Sequence, residues 1–200
     1  MMEQTVKESK KELYLMIHKM QEMLDLAEDG FTKHKLSTLA EADELAKEIH
    51  AKEDSLIAAL AKIAATDNEA RALLAIPSLV AHTTSSINRI VEGCRTRAKD
   101  GLLFSDKAVS EAKKLFSTSK NALKHAGESM VTGAKATIDT SLAESAALMR
   151  MANEFATAHE ERLVAGVCKV SCSSTYLRML YAFEDIGAHM KDAVKRISVK

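Results

Sequence analysis

The chain has 200 residues, the size of one ordinary domain, and a chain of that size buries enough surface to fold without disulfide or metal staples. Its 28 basic and 28 acidic side chains cancel, so no long-range positive field draws it onto nucleic acid or anionic lipid. Aromatic residues make up 4%, with no Trp and one Pro, while Ala, Leu, Lys, Glu and Met recur. This composition is helical, because straight-chain side chains lose little rotamer freedom in a helix and the two main breakers are scarce. No apolar run reaches the roughly 18 residues of a membrane span. The N-terminal stretch "MMEQTVKESKKELYL" carries no apolar signal core, so the expectation is a cytoplasmic protein with no direct membrane insertion. Cys94, Cys168 and Cys172 are an odd count without zinc spacing, which reads as small buried thiols in a reducing compartment.

Along the chain, Leu13, Ile17, Met20, Leu24, Ala27 and Phe31 alternate steps of four and three and so fall on one stripe of a first helix. It is expected to stop between Gly30 and Lys35. A second helix carries Ala42, Ala46, Ile49, Leu56, Leu60 and Ile63 on its stripe. Thr66, Asp67 and Asn68 are N-cap candidates for a third, running to about Lys99 with Pro77 near its start. Gly101 and Ser105 close that helix and cap a fourth, whose stripe is Val109, Ala112, Phe116, Ser119, Leu123, Ala126 and Met130. Gly127 and Gly133 are expected to loosen its end. A long fifth helix is predicted from about Ala136 to Val170, with "SCSST" separating it from a sixth.

The second half repeats the first. "LLAIPSLVAHTTSSINRI" begins at Leu73 and "LYAFEDIGAHMKDAVKRI" at Leu180, an offset of 107 that pairs His82 with His189 and Arg89 with Arg196. The second and fifth helices agree at 106 and the first and fourth at 99. The expected architecture is therefore all-α, a six-helix bundle made of two tandem three-helix units, about 1–101 and about 102–200, in a single domain.

Few positions invite chemistry. Glu53 falls on the apolar stripe of the second helix, and its repeat counterpart is His159. A side chain of either kind there serves as a metal ligand or reaches the bundle edge. Glu184, Ala188 and Asp192 follow at steps of four, so Glu184 and Asp192 are expected on one helix face, about 12 Å apart along the axis. Asp185, turned about 100° from Glu184, reads as facing solvent. His50 and Asp54 form a lone pair of the kind more often spent on a surface hydrogen bond. The diiron pattern of Glu three residues before His is absent, and "HEERL" at His159 lacks the second His of a zinc protease. No phosphate loop or nucleophile elbow occurs. The expectation is a protein that is not an enzyme.

The order of these pieces, with "LAKEIHAKEDSLIAAL", "DGLLFSDKAVSEAKKL" and "AFEDIGAHMKDAVKRI", resembles the PhoU-like regulators of phosphate transport over nearly the whole chain. The helical tail of sodium–phosphate cotransporters is similar in the same way. The resemblance implies a cytoplasmic, dimeric accessory protein of phosphate uptake and signalling, docking on a phosphate transporter or sensor histidine kinase. It also implies iron or zinc clusters held by a Glu/Asp-x-x-x-Asp motif on the third helix of each unit. Glu184 takes the first acidic position of that motif and Asp192 its extension, but Ala188 stands where the Asp belongs. Pro77, Ala81 and Ser85 occupy the three positions in the first unit. The metal candidates are thus Glu184 and Asp192, with Glu53 and His159 behind them. An iron- or zinc-binding storage or sensing protein is the alternative function, and a structural bundle unconnected to phosphate is the third.

Overall fold

Six long helices and one short one, joined by brief connections, account for nearly all of residues 5–198, the part described by the computed structural model. The first four residues, where the N-terminal stretch begins, and the last two lie outside the described residues. The elements are α1 (Val6–Lys33), α2 (Leu36–Ala64), α3 (Asn68–Leu73), α4 (Ile76–Lys99), α5 (Asp106–Thr132), α6 (Lys135–Val164) and α7 (Val170–Ser198). All six stripe residues named for the first helix are buried. Thr5 opens α1 with a capping box shared with Glu8, Asp67 caps α3 through the Ala70 amide, and Ser105 caps α5 through the Ala108 amide.

Two boundaries differ from the sequence reading. The third helix is split, because the chain turns at Leu74 and Ala75 and restarts with Pro77 in the first turn of α4, where its missing amide hydrogen costs nothing. The break after the fifth helix falls at 165–169, before the "SCSST" segment rather than within it. Gly166 takes a left-handed conformation there, φ 70°, and the Val167 amide donates back to the Arg162 carbonyl, closing the helix end. "SCSST" is instead helical, with Ser173 Oγ donating to the Lys169 carbonyl one turn earlier. Gly127 is not a loose end either; it lies within α5 against Tyr14 and Ile17 of α1.

Within each half the first and third long helices pack together and the second lies across them: α1 with α4 and α2 over both, α5 with α7 and α6 over both. The halves join through α1 against α5 and α4 against α7. The four inner helices thus form a closed ring, α1–α4–α7–α5, around the core, while α2 and α6 stand outside it. The fold is an all-α bundle of two tandem three-helix repeats related by an approximate two-fold axis through the α1–α5 and α4–α7 contacts. Phe31, Phe116 and Phe183 fill the ring in successive tilted and edge-on contacts at 5.8 and 5.0 Å between centroids.

Close approach of α7 to α6 depends on Gly187. A Cβ there would stand 2.8 Å from both the Ser145 carbonyl oxygen and Met149 Cγ. Arg97, buried at the end of α4, lies over the rings of Phe31 and Phe104 and donates to the Phe31 carbonyl. That carbonyl is in the last turn of α1, so the cation meets both an orphan acceptor and the negative end of the helix dipole.

Candidate functional site

The four residues singled out from the sequence do not converge. Among the described residues no group of three or more His, Cys, Asp or Glu side chains is placed to hold a metal ion. Glu184 is half-buried and borders a shallow groove between α6 and α7, which Arg150, Glu154 and Glu161 of α6 also line. Asp192 is exposed and faces elsewhere, close enough to His189 for its charge to act on that ring. Eight residues at about 100° each leave the two carboxylates some 80° apart around α7, so they do not share a face as expected. Ala188 between them offers no oxygen, and this donor set does not fit a multinuclear cluster. Asp185 also departs from expectation, because it reaches across the seam to pair with Arg89 of α4. Glu53 is half-buried at the edge of α2 with no hydrogen bond or ion pair among the described residues, the snorkelling arrangement.

His159 is different, since only 3% of it is exposed and it belongs to a buried polar network that sequence reasoning missed. At its centre is Glu111 of α5, 2% exposed. Both carboxylate oxygens accept from the Arg162 guanidinium, at 3.0 and 2.8 Å, and one also accepts from the Tyr176 hydroxyl at 2.7 Å. The network ties α5, α6 and α7 together. His159 packs edge-on against Tyr176 at 4.9 Å between centroids, and its Nε2 lies 3.1 Å from Ser173 Oγ. One signal for Glu111 was present in the sequence: it lies three residues after Ala108 and four before Leu115, both fully buried, so it is an acid on an apolar stripe.

Electrostatics follow from this burial. Burial pushes the Tyr176 phenol up, and its bond to the Glu111 carboxylate pushes it further. Burial pulls Arg162 down, but its hydrogen bonds to Glu111 and to Cys168 outweigh that, and the guanidinium is held above its ordinary value. Burial, then the nearby Arg162 charge, holds His159 below its ordinary 6.5. The ring is therefore neutral near pH 7. The Ser173–His159 contact has the reach of a nucleophile and base, yet His159 Nδ1 has no hydrogen-bond partner among the described residues and so lacks there the third group that orients a catalytic imidazole. Glu111 accepts three hydrogen bonds, two from Arg162 and one from Tyr176. The arrangement locks three helices together.

Above the network a cavity of about 170 Å³ opens between the α4–α5 and α6–α7 connections, lined by Leu103, Phe104, His159, Val167, Cys172 and Tyr176. Leu103 and Val167 of its lining are exposed by 73% and 70%, and Val164 and Val170, at the ends of α6 and α7 that flank the same connection, by 91% and 77%. Cys172 and Cys94 are buried, and desolvation pushes the Cys94 thiol up to about 12, so it is inert as a nucleophile. No described helix is long and apolar enough to cross a membrane.

No protein-family model and no curated protein matches the chain. Among solved structures, the crystal structure of PhoU from Pseudomonas aeruginosa matches with a TM-score of 0.70 and 14% sequence identity, over 94% of this chain and 93% of that one. The likeness therefore spans both repeats and their mutual arrangement, and the chain has a PhoU-like fold.

Proposed function

We propose that the chain is a non-catalytic accessory protein of phosphate uptake or phosphate signalling, working in the cytoplasm by docking on a phosphate transporter or a sensor histidine kinase. The observation that carries this reading is the likeness to a PhoU along nearly the full length of both chains. Fold alone does not carry function, so the reading also needs a surface to act through. The rim formed by Leu103 and Val167 at the cavity, with Val164 and Val170 at the adjoining helix ends, offers one, because exposed aliphatic side chains gain by being covered. A homodimer is the competing use of the same rim.

The test is deletion of the gene in its own host, with phosphate uptake and a phosphate-responsive reporter measured in phosphate-rich medium. Derepression of either, restored by the intact gene, is the expected result. Unchanged uptake and reporter would sink the phosphate reading. Val164→Asp combined with Val167→Asp is expected to fold and not restore regulation. Full restoration by that variant would remove the rim as the docking surface. A change of its size-exclusion profile from dimer to monomer would assign the rim to self-association.

A further inference from the structure

The approximate two-fold axis brings residues of one repeat against their counterparts in the other, and at the α4–α7 seam the residues that meet are histidines. His82 and His189 are related by the offset of 107 that pairs the two helices, and their ring centroids lie 5.6 Å apart with 49° between planes. His82 is exposed and His189 half-buried, with a buried Nδ1 that has no hydrogen-bond partner among the described residues. Asp185 and Asp192 of α7 and Arg89 of α4 are the charged groups acting on His189 besides His82. Arg89 pairs with Asp185 and also donates to Ser86 Oγ at 2.9 Å. Asp192, three residues beyond His189, makes no ion pair among the described residues.

Two imidazoles that share one ion have a restricted geometry. With a metal–nitrogen bond of about 2.05 Å and about 1.15 Å from nitrogen to ring centre, each centroid lies about 3.2 Å from the ion. A tetrahedral angle at the ion then sets the centroids about 5.2 Å apart, and a trigonal one about 5.5 Å. The observed 5.6 Å lies just above this range, so the rings have to turn and close slightly to share an ion. Tilted packing of two rings covers the same distance without any ion, and only a bound ion would be lost on chelation.

We propose that His82 and His189 form a two-histidine site for a divalent transition ion of the zinc class, bridging α4 and α7 and so clamping the two repeats together. Neutral imidazole nitrogen suits zinc, nickel and copper, and the exposed side of the pair leaves room for water to complete the coordination shell. The site is distinct from the α6–α7 groove bordered by Glu184, and it does not depend on the phosphate reading.

The experiment is calorimetric titration of Zn²⁺ alone into the chelator-stripped full chain, beside His82→Ala, His189→Gln and Glu184→Ala. One ion per chain is expected in the wild type and in Glu184→Ala, with at least a tenfold weaker affinity in His82→Ala, whose exposed position leaves folding intact. His189→Gln is expected to weaken binding similarly, and circular dichroism checks its fold. The ion should also raise the melting temperature of the wild type and not that of His82→Ala. Absence of saturable one-to-one binding, or binding by both histidine variants as tight as wild type, would overturn the site. Loss in Glu184→Ala alone would move it to the α6–α7 groove, and binding without a rise in melting temperature would overturn the clamp.

Discussion

Replacing Glu111 by Ala should be among the most damaging single changes in the bundle. The carboxylate is 3% exposed at its side chain and satisfies two donors of Arg162 and the Tyr176 hydroxyl. Its loss leaves a guanidinium and a phenol without their acceptor, and breaking a buried pair from one side costs about 3–5 kcal/mol. Arg162 retains 19% exposure at its side chain, so water recovers part of its hydration, and the lower end, about 3 kcal/mol, is the expected cost. For a chain of this length that corresponds to a fall of about 6–12 °C in melting temperature. The assay is equilibrium urea unfolding followed by circular dichroism, with the midpoint and slope fitted together. A triple change, Glu111→Leu with Arg162→Met and Tyr176→Phe, removes every polar member at similar volume and should recover to within about 1 kcal/mol of wild type. If Glu111→Ala costs under about 1 kcal/mol, or the triple variant is as unstable as the single one, the network does not hold α5, α6 and α7 as argued.

Two further outcomes follow from the packing and the burial. Gly187→Ala places a methyl group 2.8 Å from the Ser145 carbonyl, a backbone atom that cannot rotate away, and should cost about 1–3 kcal/mol in the same unfolding assay. A cost indistinguishable from zero would mean that α6 and α7 slide apart freely. His159 binds its proton less readily folded than unfolded, so the unfolded chain takes up the extra proton as pH falls. The stability it contributes is complete above its ordinary value of 6.5 and is lost progressively below it, and His159→Gln should flatten that part of the slope. Urea midpoints that fall equally with pH in both proteins would assign the effect to other groups.

The fold was legible where one residue type decides the local outcome. Leu13, Ile17, Met20, Leu24, Ala27 and Phe31 declared the inner face of α1 by spacing, and all are buried. Asp67 and Ser105 declared helix starts because a side-chain acceptor beside free amides has few other uses. The break at 165–169 was misplaced because "SCSST" has poor helix propensity, while the tertiary contacts that hold it helical, His159 to Ser173 and Cys172 Sγ to the Leu103 carbonyl, come from distant parts of the chain. The same limit hid the polar network. Arg162 is fifty-one residues from Glu111 and Tyr176 sixty-five, and no periodicity connects them. Glu184 and Asp192 were misread for a simpler reason: eight residues is not a whole number of turns, and the 80° remainder leaves Glu184 at the α6–α7 groove and turns Asp192 out of it.

The ring of inner helices also bears on how the halves come together. Each repeat keeps its own second helix outside the ring and presents its first and third helices to the other half, so the contact between halves has the form of a two-fold dimer interface carried within one polypeptide. The short connection between Lys99 and Asp106 converts what would be a bimolecular encounter into an intramolecular one, with an effective concentration in the millimolar range for a short linker. That tether frees the two repeats from having to be identical. His159 can differ from Glu53 and Pro77 from Glu184 because each side of the axis needs to match only its permanent neighbour, never a second copy of itself.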